Sequence, residues 1–354
     1  MVYREAGQFK ATYAADQAVF PIRQDRIGML ILLAAAYVAV PLTANDYWLG
    51  SILIPFLVLS LAALGLNILT GYAGQLSLGT AGFMAVGAFA AYNIAIRLPA
   101  VPLLVNFVLS GICAAGVGIV FGIPSLRIKG FYLAVATLAS QFFIEWVFTR
   151  VGWFTNYSTS GVISAPPIEI LGYSFASVRS RYLLTLAIVS LLALAAKNMV
   201  RSAVGRSWMA VRDMDVAAEV IGIRMLRTKL LAFAVSSFYC GIAGALWAFL
   251  YLGTVEPQAF DLSRSFQILF MIIIGGVGSI LGSFLGAAFI VLLPIFINIS
   301  SGMLGHAIRA DTLTQIELIV FGGLIIFFLI VEPHGLARLW QVGKEKLRLW
   351  PFPY

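Results

Sequence analysis

The chain has 354 residues, of which 61% are hydrophobic and only 11% charged, and its formal net charge is +8. That composition excludes an ordinary water-soluble domain and places most of the chain in lipid. The basic excess is explained by loops on the inner side of a membrane and by anionic headgroups, and gives no reason to invoke nucleic acid as a partner.

Residues 1–26 carry both signs of charge and are not followed by a small-residue cleavage site, so they read as a retained cytoplasmic arm. Uncharged runs then extend over 47–96, 98–126, 230–255 and 265–308, several of them longer than the ~20 residues that cross a bilayer once. Backbone amides in hydrocarbon must be satisfied internally, so aliphatic runs of this length predict helices rather than a barrel of strands. Divided at glycine, proline and charge, they give about ten spans, at 27–43, 48–70, 75–96, 102–123, 130–149, 181–198, 230–252, 266–281, 283–298 and 316–331. The eighth and ninth are short, separated by Gly275, Gly276, Gly278 and Gly282, and read either as two helices or as one kinked hairpin.

The expected fold is an all-α polytopic transmembrane bundle with both termini cytoplasmic: an arm at 1–26, a membrane domain at 27–331 and a tail at 332–354. A polar loop at 199–229 lies inside and a loop at 150–180 outside. In this orientation 17 of the 23 basic residues face inward. Arg97, Arg150, Arg179, Arg181, Arg264 and Arg309 face outward, the asymmetry that the positive-inside rule describes.

Across the second and third spans, Asn67, Thr70, Gln75, Ser77 and Thr80 lie among Gly71, Gly74, Gly79 and Gly82 in an otherwise apolar run. Glycine permits unusual backbone angles and close helix approach. The segment reads either as a broken helix whose freed groups face a translocation path, with Asn67, Gly71, Gly74, Gln75, Ser77 and Gly79 along it, or as an ordinary cytoplasmic turn. Gly278, Gly282 and Gly286 recur at i, i+4 and i+8 and predict a helix-packing stripe, with Ser279 and Ser283 as interhelical hydrogen-bond donors. Glu145 and Glu317 are the ionisable candidates within the spans, sparse for an ion-coupled carrier, which usually needs buried acids along its path.

Between the sixth and seventh spans lies a charged island, Arg201 to Ile223. Trp208, Val211, Met214, Ala218 and Ile221 recur there at helical spacing, while Arg206, Arg212, Asp213, Asp215 and Glu219 occupy other faces. The pattern predicts one amphipathic helix along the membrane surface, ended by Gly222. Its mixed charge favours docking to a soluble partner over merely resting on lipid. No Gly-x-x-x-x-Gly-Lys-Ser/Thr segment occurs, so ATP hydrolysis is not expected of this chain. Cys113 and Cys240 read as small buried residues, and His306 and His334 fall in no metal-binding or proteolytic spacing, so neither a metal nor a catalytic role is expected.

Four regions in the same order carry a resemblance. They are Gly71-Tyr-Ala-Gly-Gln-Leu-Ser-Leu-Gly79; Arg201-Ser-x-x-Gly-Arg-x-x-x-Ala-Val-Arg212 with Ala217-Ala-Glu-x-x-Gly-Ile223; Lys229-Leu-Leu-Ala-Phe-Ala-Val with Gly241-Ile-Ala-Gly-Ala-Leu; and Gly275-Gly-Val-Gly-Ser-Ile-Leu-Gly-Ser-Phe-Leu-Gly-Ala-Ala288. Together, over about residues 28–335, they closely resemble the inner-membrane permease subunits of branched-chain amino acid ABC transporters, the LivM-type member of the LivH/LivM permease family.

The resemblance implies a non-catalytic subunit of a bacterial inner membrane. Its partners would be a second homologous permease, two ATPase subunits that use ATP and Mg, and a periplasmic substrate-binding protein. The island becomes a coupling segment, with Arg206, Arg212, Asp213, Ala217, Ala218, Glu219 and Gly222 facing the ATPase; its order Ala-Ala-Glu departs from the Glu-Ala-Ala of other importer families. The implied cargo is a branched-chain or related hydrophobic amino acid, although similar permeases serve urea, short amides and aromatic acids. The outer loop at 150–180 is then a docking surface for the binding protein, or a plug or lid.

Overall fold

The computed structural model describes residues 23–126, 130–158, 161–166, 168–170, 173–303, 315, 319–320, 322–324, 326–328, 330 and 334–349. In chain order its helices are α1 (Arg26–Thr43), α2 (Trp48–Tyr72), α3 (Thr80–Arg97), α4 (Leu103–Gly122), α5 (Phe131–Arg150) and α6 (Val178–Arg201). There follow α7 (Ala203–Asp213), α8 (Asp215–Val220), α9 (Met225–Leu252), α10 (Leu262–Gly275), α11 (Ile280–Met303) and α12 (Gly335–Leu349). Seven of these, α1, α2, α4, α5, α6, α9 and α11, carry a stretch long and apolar enough to cross a membrane. The chain is an all-α polytopic membrane protein. The arm up to residue 22, seven of the sixteen residues of the tenth expected span at 316–331, His306 and Glu317 fall outside the described residues.

The bundle is built around α2 and α9, the two most buried of its membrane-length helices. In α2, 89% of the most apolar stretch is buried, and in α9, 72%. The peripheral helices instead turn large apolar side chains outward: Val105, Val108 and Ile112 on α4, Phe142, Phe143 and Trp146 on α5, Leu191 and Leu194 on α6. Such a belt is a liability in water but normal where lipid is the solvent. Cys240 is buried, whereas Cys113 is exposed on α4, contrary to expectation; its neighbours are apolar, but the helix face it occupies belongs to this outer belt.

Small residues let the central helices approach. A side-chain carbon at Gly87 of α3 would lie 2.0 Å from the carbonyl oxygen of Gly241 of α9, so the two backbones touch where the Gly-Ile-Ala-Gly motif crosses α3.

α9 is 28 residues long, roughly 40 Å, and so defines two ends of the bundle. The island α7–α8 precedes it at one end. At the other, its last turns are a π-helix, Trp247–Leu252, closed by Gly253 with φ +70°, after which Thr254–Val255 forms a strand that pairs antiparallel with Ile163–Ser164 of the loop after α5. A second small hairpin joins Glu169–Ile170 to Tyr173–Ser174, so this loop is partly ordered by strands that the helical reading did not anticipate. Arg97 is tied to the same region, its guanidinium 3.4 Å from the Trp153 ring and donating to the Trp153 carbonyl at 2.8 Å.

The eighth and ninth expected spans are two helices, α10 and α11, antiparallel across a turn at residues 276–279. They pack through Gly282 and Gly286, whose added side-chain carbons would strike the carbonyls of Gly275 and Met271. Gly278, expected at the head of that glycine stripe, lies in the turn with φ +80° and not on the helix, because the chain must reverse there.

The Gly87 crossing has a built-in control. Gly87→Ala should cost more than the ~1–3 kcal/mol typical of overpacking because backbone has to move, whereas Gly116→Ala on α4 meets nothing within 4 Å. Thermal unfolding in detergent should show a lowered midpoint for the first variant and none for the second.

Candidate functional site

α2 ends deliberately. Its last turn, Ile68–Tyr72, is π-helical, and it closes with Ala73 N–H donating to Ile68 O and Gln75 N–H to Leu69 O while Gly74 sits at φ +69°. Residues 73–79 are then non-helical until α3 begins at Thr80, five residues later than the sequence pattern suggested. This unwound stretch is not a surface turn. Gln75 is 5% exposed and Ser77 2%. The chain also moves inward along it: Leu78 N–H bonds Thr137 and Gly82 N–H bonds Gln141, about 9 and 15 Å along α5 from Phe131.

Buried backbone outside a helix needs partners, and neighbouring helices provide them. Leu78 N–H donates to Thr137 Oγ1 at 2.9 Å, Gly79 N–H to Ser77 Oγ at 3.4 Å, Ala81 N–H to Ser265 Oγ at 2.9 Å, and Gly82 N–H to Gln141 Oε1. Gln141 in turn donates from Nε2 to Phe260 O and accepts at Oε1 from Ser265 Oγ. The start of α3 is thus bonded by side chains from α5 and α10. Thr137, Gln141 and Ser265 were not singled out from sequence; the available signal was polar residues within a membrane-length apolar helix for the first two, and a polar residue at the head of an apolar run for Ser265. Two groups keep no partner: both amide atoms of the Gln75 side chain and the Thr80 hydroxyl are buried and unbonded.

Asn67, fully buried, ties α2 to the α10–α11 turn. Its Nδ2 donates to Ser279 O at 2.8 Å and to Ser283 Oγ at 2.9 Å, and its Oδ1 accepts from Gly278 N–H at 2.8 Å. Every polar atom of its amide is used. Gly71 must be glycine because the Asn67 amide and the Gly278 backbone occupy the place of a side chain. The helix α12 closes the other side of the turn, with His334 O and Ala337 against Gly276.

The island reaches the same point. Arg212, at the end of α7, donates from Nη1 to Gly71 O at 2.8 Å, and its aliphatic stem lies against Gly74. Three separately recognisable motifs therefore meet at one place: the Gly71–Gly79 segment, the island and the Gly275–Gly286 hairpin. Trp208, fully buried, anchors α7 to α9 by donating from Nε1 to Thr228 O at 3.1 Å, and Gly205 is required where α7 meets α6, with Val200 O in the place of any side chain.

The single amphipathic helix expected over the island is in fact two. Met214 is extended (φ −158°, ψ 92°) and separates α7 from α8. The break turns the expected apolar face: Trp208, Val211 and Ala218 are buried, but Met214 is 70% and Ile221 74% exposed. Together with Val216 and Val220 they make an apolar, outward-facing surface on α8. Gly222 (φ +90°) ends α8 in a Schellman arrangement, Ile223 N–H donating to Ala218 O and Gly222 N–H to Glu219 O. Arg206, Asp213, Ala217 and Glu219 are exposed on this element, Asp213 paired with Arg212 at 2.8 Å in a surface ion pair. Glu145 is half-buried on α5, away from this junction.

The geometry can be set beside known proteins. A family model described as the permease component of the branched-chain amino acid transport system matches residues 48–329. The chain belongs to that family. It is 26% identical over 299 residues to the high-affinity branched-chain amino acid transport system permease protein LivM of Escherichia coli (strain K12), covering 78% of this chain and 67% of that protein. The same protein of Salmonella typhimurium is 27% identical with the same coverage. The autoinducer 2 import system permease protein LsrC of an Enterobacter species is 27% identical over 270 residues, 74% of this chain and 73% of the relative. No solved structure gives a significant match. The model spans α2 to the residues after α11, so all three converging motifs lie within the family's own region.

Asn67→Ala tests the junction. It removes the partner of the half-buried Gly278 N–H and Ser279 carbonyl and of the buried Ser283 hydroxyl, a buried group left unpaired costing about 1–3 kcal/mol, so the detergent unfolding midpoint should fall clearly. An unchanged midpoint would show that the α2–turn contact contributes nothing to the bundle.

Proposed function

We propose that this chain is the translocation subunit of an ATP-binding-cassette importer for branched-chain or related hydrophobic amino acids, driven by partner ATPases that grip the island. The observation that carries the reading is the bond from Arg212 on the island to Gly71, the last turn before the helix breaks. A force applied to α7–α8 is delivered through one side chain to unwound backbone and, through Asn67, to the α10–α11 hairpin.

The exposed apolar side chains of α8, Met214, Val216, Val220 and Ile221, suit a groove on a soluble partner, with Arg206, Asp213, Ala217, Glu219 and Gly222 around them. We assign the island end to the cytoplasm, following the distribution of basic residues, and with it about ten spans, both termini inside, in a bacterial inner membrane. The partners on this reading are a second homologous permease, two ATPases that bind ATP and Mg, and a periplasmic binding protein on the outer loops. The chain itself has no catalytic role. Amino acids are favoured as cargo by the LivM relatives. The LsrC relative, named for autoinducer 2 import, marks how far cargo varies among similar permeases.

The test is the ratio of amino acid taken up to ATP hydrolysed, measured on the complete complex in proteoliposomes. Arg212→Ala should lower that ratio at least tenfold while the complex still assembles, and Gly222→Val, which puts a branched side chain at φ +90°, should do the same. Normal ratios in both variants would remove the island from the coupling path.

A further inference from the structure

At the end of the bundle opposite the island, a cavity of about 360 Å³ lies between α2, the end of α9, α10 and α11. Its size falls near the lower limit of the roughly 300–1,000 Å³ usual for small-molecule sites. Its wall is mixed, with Ser51, Tyr251 and Gln267 among apolar side chains, and it holds one cation and one anion: Arg264, at the start of α10, and Glu256, on the segment between the α9 strand and α10. They form no ion pair with each other, and Glu256 has no side-chain partner among the described residues. The Arg264 guanidinium lies 4.6 Å from the Trp247 ring and donates from Nη1 to Gln267 Oε1 at 2.6 Å. A guanidinium carries five N–H donors, so most of its capacity is unspent. Trp247, 4% exposed on the same wall, keeps its indole N–H buried without an acceptor.

The backbone is irregular here on three sides at once. α2 enters as a π-helix over Trp48–Leu53, α9 leaves as a π-helix over Trp247–Leu252, and α11 contains Pro294. Proline has no N–H to donate one turn back, so Pro294 withholds the usual donor from the carbonyl of Ile290. Both residues line the cavity. Departures of this kind at membrane depth are characteristic of helices that surround a ligand or a path.

From this juxtaposition we infer that the cavity is a binding site for a zwitterionic amino acid with an apolar side chain. Arg264 takes the carboxylate as a charge-assisted, fork-shaped donor; Glu256, with the carbonyl of Ile290 that Pro294 leaves without its usual donor, takes the ammonium; Leu59 and Val291 contact the aliphatic side chain. The strand that precedes Glu256 pairs with the outer loop at Ile163–Ser164, so the site adjoins the surface where a binding protein would deliver cargo. The inference rests on the importer reading above and assigns that importer a cargo site within this chain.

The experiment measures equilibrium binding of radiolabelled L-leucine to the purified complete complex in nanodiscs, without binding protein. Leucinamide, which lacks the carboxylate, and 4-methylpentanoate, which lacks the ammonium, serve as competitors. Wild type should bind leucine saturably and discriminate against both analogues at least tenfold. Arg264→Gln should abolish the discrimination against leucinamide, and Glu256→Gln that against 4-methylpentanoate, in complexes that elute intact; Glu145→Gln should change neither. A wild-type complex that imports leucine yet binds none under these conditions, or that binds both analogues as well as leucine, overturns the site while leaving the importer standing. A wild-type complex that takes up no zwitterionic amino acid sinks the functional reading and the site with it.

Discussion

A helix that stops inside apolar surroundings leaves amides and carbonyls that water cannot reach, and each needs a partner from the protein. In this chain that demand arises at the end of α2, and the arrangement of α3, α5, α10 and the island follows from it. Thr137, Gln141 and Ser265 bond the amides of residues 78–82, Asn67 locks the helix end to the α10–α11 turn, and Arg212 takes the Gly71 carbonyl. The break is thereby held in one conformation and connected to an element that faces outward.

The same economy of partners accounts for two kinds of glycine. At Gly87 and Gly244 the side chain is absent because the backbone of the facing helix occupies its place, and the consequence is a tight core. At Gly71 it is absent because Asn67 and Gly278 do, and the consequence is a junction between motifs more than 200 residues apart in sequence. Substituting either is costly, yet only the second lies on the route from the island to the unwound segment. The far end of the bundle shows the complement, with π-helical turns, and a proline that leaves a backbone acceptor, around a cavity holding Arg264 and Glu256.

Much of this was legible in the residues. The helical membrane class, the polar segment after Asn67 and the island follow from apolar run length and from charge that interrupts it. The helix ends at Gly222 and the division between α10 and α11 follow from glycines whose left-handed angles exclude a continuing helix. What stayed hidden has a common cause. The amphipathic pattern of the island treats Met214 as one more apolar position at helical spacing, and spacing is blind to the extended backbone that separates α7 from α8 and turns Met214 and Ile221 outward. Thr137, Gln141 and Ser265 are a few polar residues among apolar ones, and nothing local says that their partners are backbone amides on a distant segment. Arg264 reads only as one of six outward-facing basic residues, and Glu256 carries no signal of its own, until the folded chain sets them around one cavity.

The central claim is mechanical: the island and the α10–α11 turn move as one body because Arg212, Gly71 and Asn67 link them. The most direct measurement is the distance between spin labels at Ala203→Cys on α7 and Val277→Cys in the turn, both exposed positions, in the cysteine-replaced complex before and after ATP binding by the partners. The account predicts a distance that stays fixed while a label at Ile112→Cys on α4 moves relative to both. An Ala203–Val277 distance that changes on ATP binding, with the turn stationary relative to α4, would contradict it.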